Sequence, residues 1–201
     1  MRSECLKDRF PKGATRRMTQ LGLLVGAALD DLAPQVDDAV VYASAYAETR
    51  ALEGYLESFP AASPTLFQTS IHPSAVQQAL ITRQSPLREF FPLTGRIHLA
   101  AHAVQAALLS VASRVLICGG EERGTWLLEQ RAASDRTFAF ALSLTAVRKG
   151  AKARVGLEAE SAASGPGGFT LPEFFDALRD RRPLDLIGAP GLRLKLEWLE
   201  A

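Results

Sequence analysis

Histidine is scarce in this chain of 201 residues: only His72, His98 and His102 occur, and none follows residue 102. Cysteine is scarcer, with Cys5 and Cys118 far apart in sequence. Two such thiols make no disulfide framework, and a reducing, cytoplasmic setting fits. Cys118 ends the apolar run from Val115 and reads as a small packed hydrophobe. Metal ligands are missing too. His98 and His102 are four apart, but no Cys, Asp or Glu nearby completes a set, so no metal site and no cofactor are expected. Charge excess is almost absent, at 23 basic against 22 acidic residues. That leaves no basic stripe for nucleic acid. The longest apolar runs are too short to span a bilayer. Arg16-Arg17 before an apolar stretch looks faintly like an export signal, but Asp30-Asp31 follows without a small-x-small cleavage site. No Gly-x-Ser-x-Gly elbow makes Ser44, or Ser70 with His72, a hydrolase site.

What is present suits one compact domain spanning residues 1–201, with 47% hydrophobic residues and enough length for a good core. Residues 1–10 read as loose and the Gly/Ser/Pro run 161–168 as a flexible loop. Helical spacing predicts an amphipathic helix over Thr15–Leu32 opened by Arg16-Arg17, then one over Glu48–Phe59 broken by Pro60 and Pro64. Another starts at Pro73 and runs through Ile81. Ala39–Ser44 is a short apolar run suited to a buried parallel strand. Ser85–Gly95, with two prolines and Phe90-Phe91, reads as an ordered loop, and Ile97–Ala100 as a strand. Ala101–Ala112 is apolar almost all round and predicts a fully buried helix. Arg114–Cys118 is the next strand, with Gly119-Gly120 turning the chain. Trp126–Leu128 opens a short helix. Thr137–Val147 and Ala153–Glu160 read as a hairpin around Arg148-Lys-Gly150. Pro172–Arg179 is a short helix. Leu192–Trp198 alternates as an edge strand. The class is α/β, a mixed sheet covered by helices.

The run Gly95-Arg-Ile-His-Leu-Ala-Ala-His102, the apolar helix and Arg114-Val-Leu-Ile-Cys-Gly-Gly120 resemble the surroundings of the nucleophilic cysteine in β-ketoacyl synthases. In that family a strand enters a Thr-Ala-Cys-Ser-Ser-type turn. Laid over it, Ala101 matches the alanine and His102 takes the cysteine position. Asp38–Glu48 resembles a neighbouring strand and turn of the family. Ser63-Pro-Thr-Leu-Phe-Gln-Thr-Ser-Ile-His72 resembles the Ser-Pro-Thr-x-Phe-x-x-Ser-x-His-Asn segment of one subfamily, with Pro73 in place of the Asn. Pro11–Leu24 resembles the same subfamily's N-terminal segment. That subfamily is the ketosynthase-like N-terminal domain, often called chain length factor, which accompanies aryl polyene pigment synthesis. The likeness covers residues 11–147.

The resemblance implies one half of a thiolase-like fold, trimmed of its first strand and of the half that supplies the family's two later histidines and lysine. Leu192–Trp198 is then placed to substitute for the missing strand. It also implies a subunit with no catalytic residue, because imidazole does not replace a thiolate as an acyl carrier. Such a subunit pairs with an active ketosynthase and assists malonyl condensation on acyl carrier protein. His102, Phe90, Phe91 and His72 are the substrate-lining candidates. Arg96, Ile97, His98, Leu99 and Ala100 form the expected dimer strand. The exposed arginines 179, 181 and 182 offer a surface to the acidic carrier protein or are simply a solvated helix end. Two other readings stay open: a stand-alone acyl-thioester hydrolase or transferase using His102, and an acyl-binding homo-oligomer without chemistry.

Overall fold

The computed structural model describes residues 6–11, 13–84, 86–160 and 169–200. Cys5 and the loop expected at 161–168 lie outside the described residues. Two strands set the core. In β1 (Ala39–Ser44) all six residues are buried. Ala39, Val41 and Ala43 pack into one apolar cluster, while Val40 and Tyr42 pack into another. β3 (Arg114–Glu121) divides the same way, Val115 and Ile117 against Leu116 and Cys118. Successive side chains of a strand point to opposite faces, so an uninterrupted apolar run is a strand covered on both sides.

β1 lies between β2 (Glu89–Thr94) and β3, parallel to both, and β3 pairs antiparallel with β4 (Phe138–Thr145). The order is β2-β1-β3-β4. One face carries α1 (Gln20–Asp30), through Leu21, Val25 and Leu29, and α4 (Ser74–Arg83), through Ala75, Val76 and Leu80. The other carries α5 (Leu99–Leu109) and α7 (Leu171–Arg179). Beyond them lies a second, antiparallel sheet of β5 (Ala153–Ala159), β7 (Leu192–Trp198) and β6 (Leu184–Ala189), in the order β5-β7-β6. Both sheets, α5 and α7 share one continuous apolar cluster. Shorter helices α2 (Thr49–Glu57), α3 (Pro64–Ser70) and α6 (Trp126–Glu129) complete the chain.

The mixed α/β sheet covered by helices stands as expected. Several local expectations do not. Ser85–Gly95 holds β2 rather than only a loop; its Pro92 sits on an edge strand, where a missing N–H is tolerated. Pro64 starts a helix, with the Ser63 hydroxyl accepting from Leu66 N–H at 3.4 Å. Thr15–Leu32 is not one helix. Ala14–Arg17 is a single 3-10 turn, Met18 is extended, and Thr19 caps α1 through Gly22 N–H at 2.9 Å. Residues 6–10 are anchored, since Leu6 and Phe10 are buried against Leu23, Ala27 and Ala79. β4 and β5 belong to different sheets, so they are no hairpin. β7 is the centre of the small sheet, neither an edge strand nor a replacement strand in the main one.

α7 shows how a short helix is fixed. Leu171, Phe174 and Ala177 bury one face. Thr170 caps the end through Glu173 N–H, and the Glu173 carboxylate accepts from Thr170 N–H at 2.8 Å. Thr170→Ala removes this reciprocal pair and is expected to cost about 1 kcal/mol, read as a shifted urea midpoint at unchanged slope.

Candidate functional site

In an open sheet of parallel strands, ligands bind beyond the carboxyl ends. Here those ends are Thr94, Ser44 and Glu121. A cleft of about 560 Å³ opens there, lined by Tyr46 after β1, Arg96 and Ile97 after β2, Glu121 of β3, and Arg131, Ser134, Asp135 and Thr170 from later segments.

Its floor is a buried carboxylate. Glu121 is fully inaccessible. Its Oε1 accepts from Ala45 N–H at 2.6 Å and its Oε2 from Tyr46 N–H at 3.1 Å. The Ser44 hydroxyl donates to the Gly120 carbonyl at 2.7 Å and accepts from Ala47 N–H at 2.8 Å. The turn after β1 is thereby tied to the end of β3. Burial raises the Glu121 pKa to about 7, against the pull of those main-chain N–H groups. At the mouth, the Arg96 guanidinium lies over the Tyr46 ring, 5.2 Å from its centroid, and donates to the Tyr46 hydroxyl at 3.1 Å and the Arg131 carbonyl at 2.8 Å.

Three more buried glutamates line the same end of the molecule. Glu48 accepts from Ala75 N–H with one oxygen, while the other has no partner among the described residues. Burial raises its pKa to about 7. Glu122 accepts from Arg50 N–H at 3.0 Å, and burial raises its pKa too. Glu53 accepts from Thr125 N–H at 2.5 Å and Leu127 N–H at 3.1 Å and pairs with Arg50 at 3.2 Å. Burial opposes its ionisation, but these partners hold its pKa below the ordinary value. None of the four was singled out from the sequence. Two acids directly after a buried apolar strand were the available signal for Glu121 and Glu122.

The residues expected to form the site are dispersed. No strand forms over Ile97–Ala100. Leu99 already opens α5, and the preceding residue His98 adopts φ 66°. That left-handed conformation is held by His98 N–H to the Phe169 carbonyl at 3.2 Å and by Nδ1, 2.8 Å from the Gly188 carbonyl. Nδ1 is therefore the protonated nitrogen. His98, not His102, heads the helix. His102 lies in its fourth position and is exposed, because the buried stripe of α5 runs through Leu99, Ala100, Ala103, Val104 and Ala107. The same stripe leaves Leu108 and Leu109 exposed, so α5 is not buried all round. Of the expected interface residues, Arg96 and Ile97 are exposed, but Leu99 and Ala100 are core.

The lining candidates fall on both faces of the main sheet. Phe90 packs with the α1–α4 side and Phe91 with the α5 side. His72 stacks on Tyr42 of β1, centroids 5.0 Å apart, on the α1–α4 side, and burial lowers its pKa. His72 and His102 thus share no cavity. Arg179 is paired with Asp176 at 3.0 Å and with Asp180 at 2.7 Å. Among the described residues, no group of His, Cys, Asp and Glu is arranged to hold a metal ion, and no helix is long and apolar enough to cross a membrane.

Nor does the cleft offer a thiol among the described residues. Cys118 lies in mid-β3, fully buried, with its pKa pushed far above the ordinary thiol range by burial. A thiol held neutral there is neither nucleophile nor acyl carrier.

No protein-family model matches the sequence, and no curated protein matches it. Solved structures do. A chain of the ketosynthase ApeO in complex with its chain length factor ApeC, from Xenorhabdus doucetiae, superposes with a TM-score of 0.67 at 21% identity, over 94% of this chain and 82% of that one. The ishigamide ketosynthase/chain length factor superposes with a TM-score of 0.57 at 14% identity, over 77% of this chain. The match spans 52% of that second, longer chain. At these identities the likeness establishes the fold, which is the thiolase-like fold of ketosynthases and chain length factors.

Proposed function

We propose that this chain acts, as a single ketosynthase-like domain, as a non-catalytic, chain-length-factor-like subunit. It pairs with an active ketosynthase in the cytoplasm and assists condensation of malonyl units on acyl carrier protein, in aryl polyene or polyketide-type synthesis. The carrying observation is a condensing-enzyme fold whose cleft, beyond the parallel strands, has no thiol among the described residues: Gly95-Arg-Ile-His98 joins β2 to α5, and Cys118 is sealed in β3. Decarboxylative condensation needs a thiolate to carry the acyl chain, so the chemistry belongs to a partner.

Two features support pairing. β2 is an edge of the main sheet, with main-chain groups on one side unpaired by any strand among the described residues. Beside it, Leu108, Leu109 and Val111 are 51, 75 and 72% exposed, and Ser110 ties this end of α5 to Glu89 of β2 at 2.5 Å. Hydrolysis by His102 has less support, since the imidazole is exposed and its ring neighbour is His98, centroids 6.3 Å apart, rather than a carboxylate.

The test is co-expression with ketosynthases encoded in the same genome, followed by co-purification and light scattering. A heterodimer is expected, and Leu108→Glu/Leu109→Glu should weaken it by about tenfold or more, as charge at a desolvated interface does. Intact mass after incubation with acyl thioesters should show no adduct on this chain. Failure to bind any ketosynthase, or an acyl adduct on Cys118 or His102, overturns the reading. A homodimer that excludes ketosynthases would favour the acyl-binding oligomer.

A further inference from the structure

A second concave site shares no lining residue with the cleft and lies where the 3-10 turn Ala14–Arg17 meets the N-terminus of α1. It has a volume of about 330 Å³ and is lined by Arg16, Arg17, Thr19, Arg50, Thr69 and Glu122, among others. Three arginines from two segments of the chain line one small space. Arg16 and Arg17 are exposed and enter no salt bridge among the described residues. Arg50 is half exposed and bridges only Glu53, itself already held by Thr125 and Leu127 N–H groups.

Several other arginines are already neutralised. Arg114 is closed against Asp38 at 2.5 Å, and Arg179 and Arg193 are each paired with two carboxylates. In this pocket the acidic side chain is Glu122, which accepts from Arg50 N–H at 3.0 Å. With Glu53 and Glu122 both ionised, the three arginines still leave a positive excess. Protonation of Glu122, whose pKa burial raises, increases it.

We infer that this pocket binds a phosphate-class dianion, either free phosphate or the phosphate group of a small organic phosphoester. Guanidinium groups donate in a planar fork that matches the oxygens of a phosphate, and several are needed to offset a double charge. The first turn of α1 adds the positive end of an eleven-residue helix. Thr69 adds a hydroxyl whose present partners are the carbonyls of its own helix, Thr65 and Leu66, both at 3.1 Å. The volume admits a phosphate together with the further atoms of a small phosphoester. Its lining is distinct from that of the carboxyl-end cleft, and the proposal does not depend on pairing with a ketosynthase.

Isothermal titration of the full chain with inorganic phosphate and with glycerol 3-phosphate, at constant ionic strength set with chloride, tests it. One saturable site is expected for at least one probe. The tighter of the two identifies the source, free phosphate or an organic phosphoester. Arg16→Ala/Arg17→Ala should weaken binding by about tenfold or more. Both side chains are exposed, so the variant should keep the thermal midpoint of the wild type. Arg148→Ala/Lys149→Ala removes the same charge from an exposed turn and should leave the affinity within about twofold. Equal losses in the two double variants, or no saturable heat with either probe, would overturn the proposal.

Discussion

Gly119→Ala and Gly120→Ala are each expected to stop the chain from accumulating as folded protein, whereas Gly156→Ala leaves it intact. All three glycines lie within strands. A methyl group on Gly119 would fall on the Ala43 carbonyl oxygen, with the Phe140 ring atoms only 3.1 Å away. On Gly120 it would fall on the Phe138 carbonyl oxygen, with Ala139 Cα at 2.9 Å. These obstacles are main-chain atoms of β1 and β4, the strands on either side of β3, and they cannot rotate aside. Relief requires the main sheet to part at the end that carries Glu121. The cost is about 3 kcal/mol or more at each position, a large part of the stability of a domain this size. At Gly156 nothing lies within 4 Å of the added methyl. There, alanine also reduces the freedom of the unfolded chain. Soluble yield and urea midpoints of the three variants decide the matter. A Gly119→Ala variant with the wild-type midpoint would show that the strands are not so close.

The glycine pair also marks a limit of reading sequence. Gly-Gly after an apolar strand predicts a turn, yet β3 runs on through both to Glu121, and what needs glycine is the close approach of neighbouring backbones. β1 was legible because five apolar residues in a row, Ala39–Ala43, admit little else. α7, with its apolar stripe, and the strand character of β4, β5 and β7 were legible from periodicity. Partnership was not. Alternation in Ala153–Ala159 and Leu192–Trp198 says that one face is wet, but not that the two pair with each other in a separate sheet. The start of α5 was misplaced by a few residues because His98 takes a left-handed conformation that only its tertiary partners, Phe169 and Gly188, select. That displacement moves His102 from the head of the helix to its exposed side. The carboxylates escaped notice for a related reason. Glu48, Glu53, Glu121 and Glu122 look like surface residues in sequence, and their burial depends on main-chain N–H groups brought in from distant segments.

Those carboxylates have a consequence for stability. Glu48 is 1% exposed, and among the described residues only one of its oxygens has a partner, the N–H of Ala75 in the first turn of α4. The Tyr42 hydroxyl and both ring nitrogens of His72 are also buried without partners among the described residues. An ionised carboxylate there lacks the donors it needs, so the folded chain favours the protonated acid. Its pKa rises from 4.5 to about 7, chiefly through burial. The folded state therefore binds more protons than the unfolded state between these values. Stability linked to Glu48 is fully present below pH 4.5 and is lost as pH rises through 7. A displacement of this size corresponds to about 3 kcal/mol. Glu121 and Glu122 act in the same direction, since burial raises both. Asp38 and Glu53 are held below their ordinary values, so their contribution is lost only as the solution becomes more acidic than this window.

Glu48→Gln keeps the acceptor for Ala75 and cannot ionise. At pH 8 it should be more stable than the wild type by about 1–3 kcal/mol, the lower figure allowing for one unpaired amide donor. At pH 4.5 that advantage should vanish or reverse. Between pH 4.5 and 7 its stability should fall less steeply, the remaining slope coming from Glu121 and Glu122. Urea titrations at four pH values across the range measure this directly. Equal slopes in the two proteins would mean that Glu48 stays ionised in the fold, and that donors outside the chain satisfy its second oxygen.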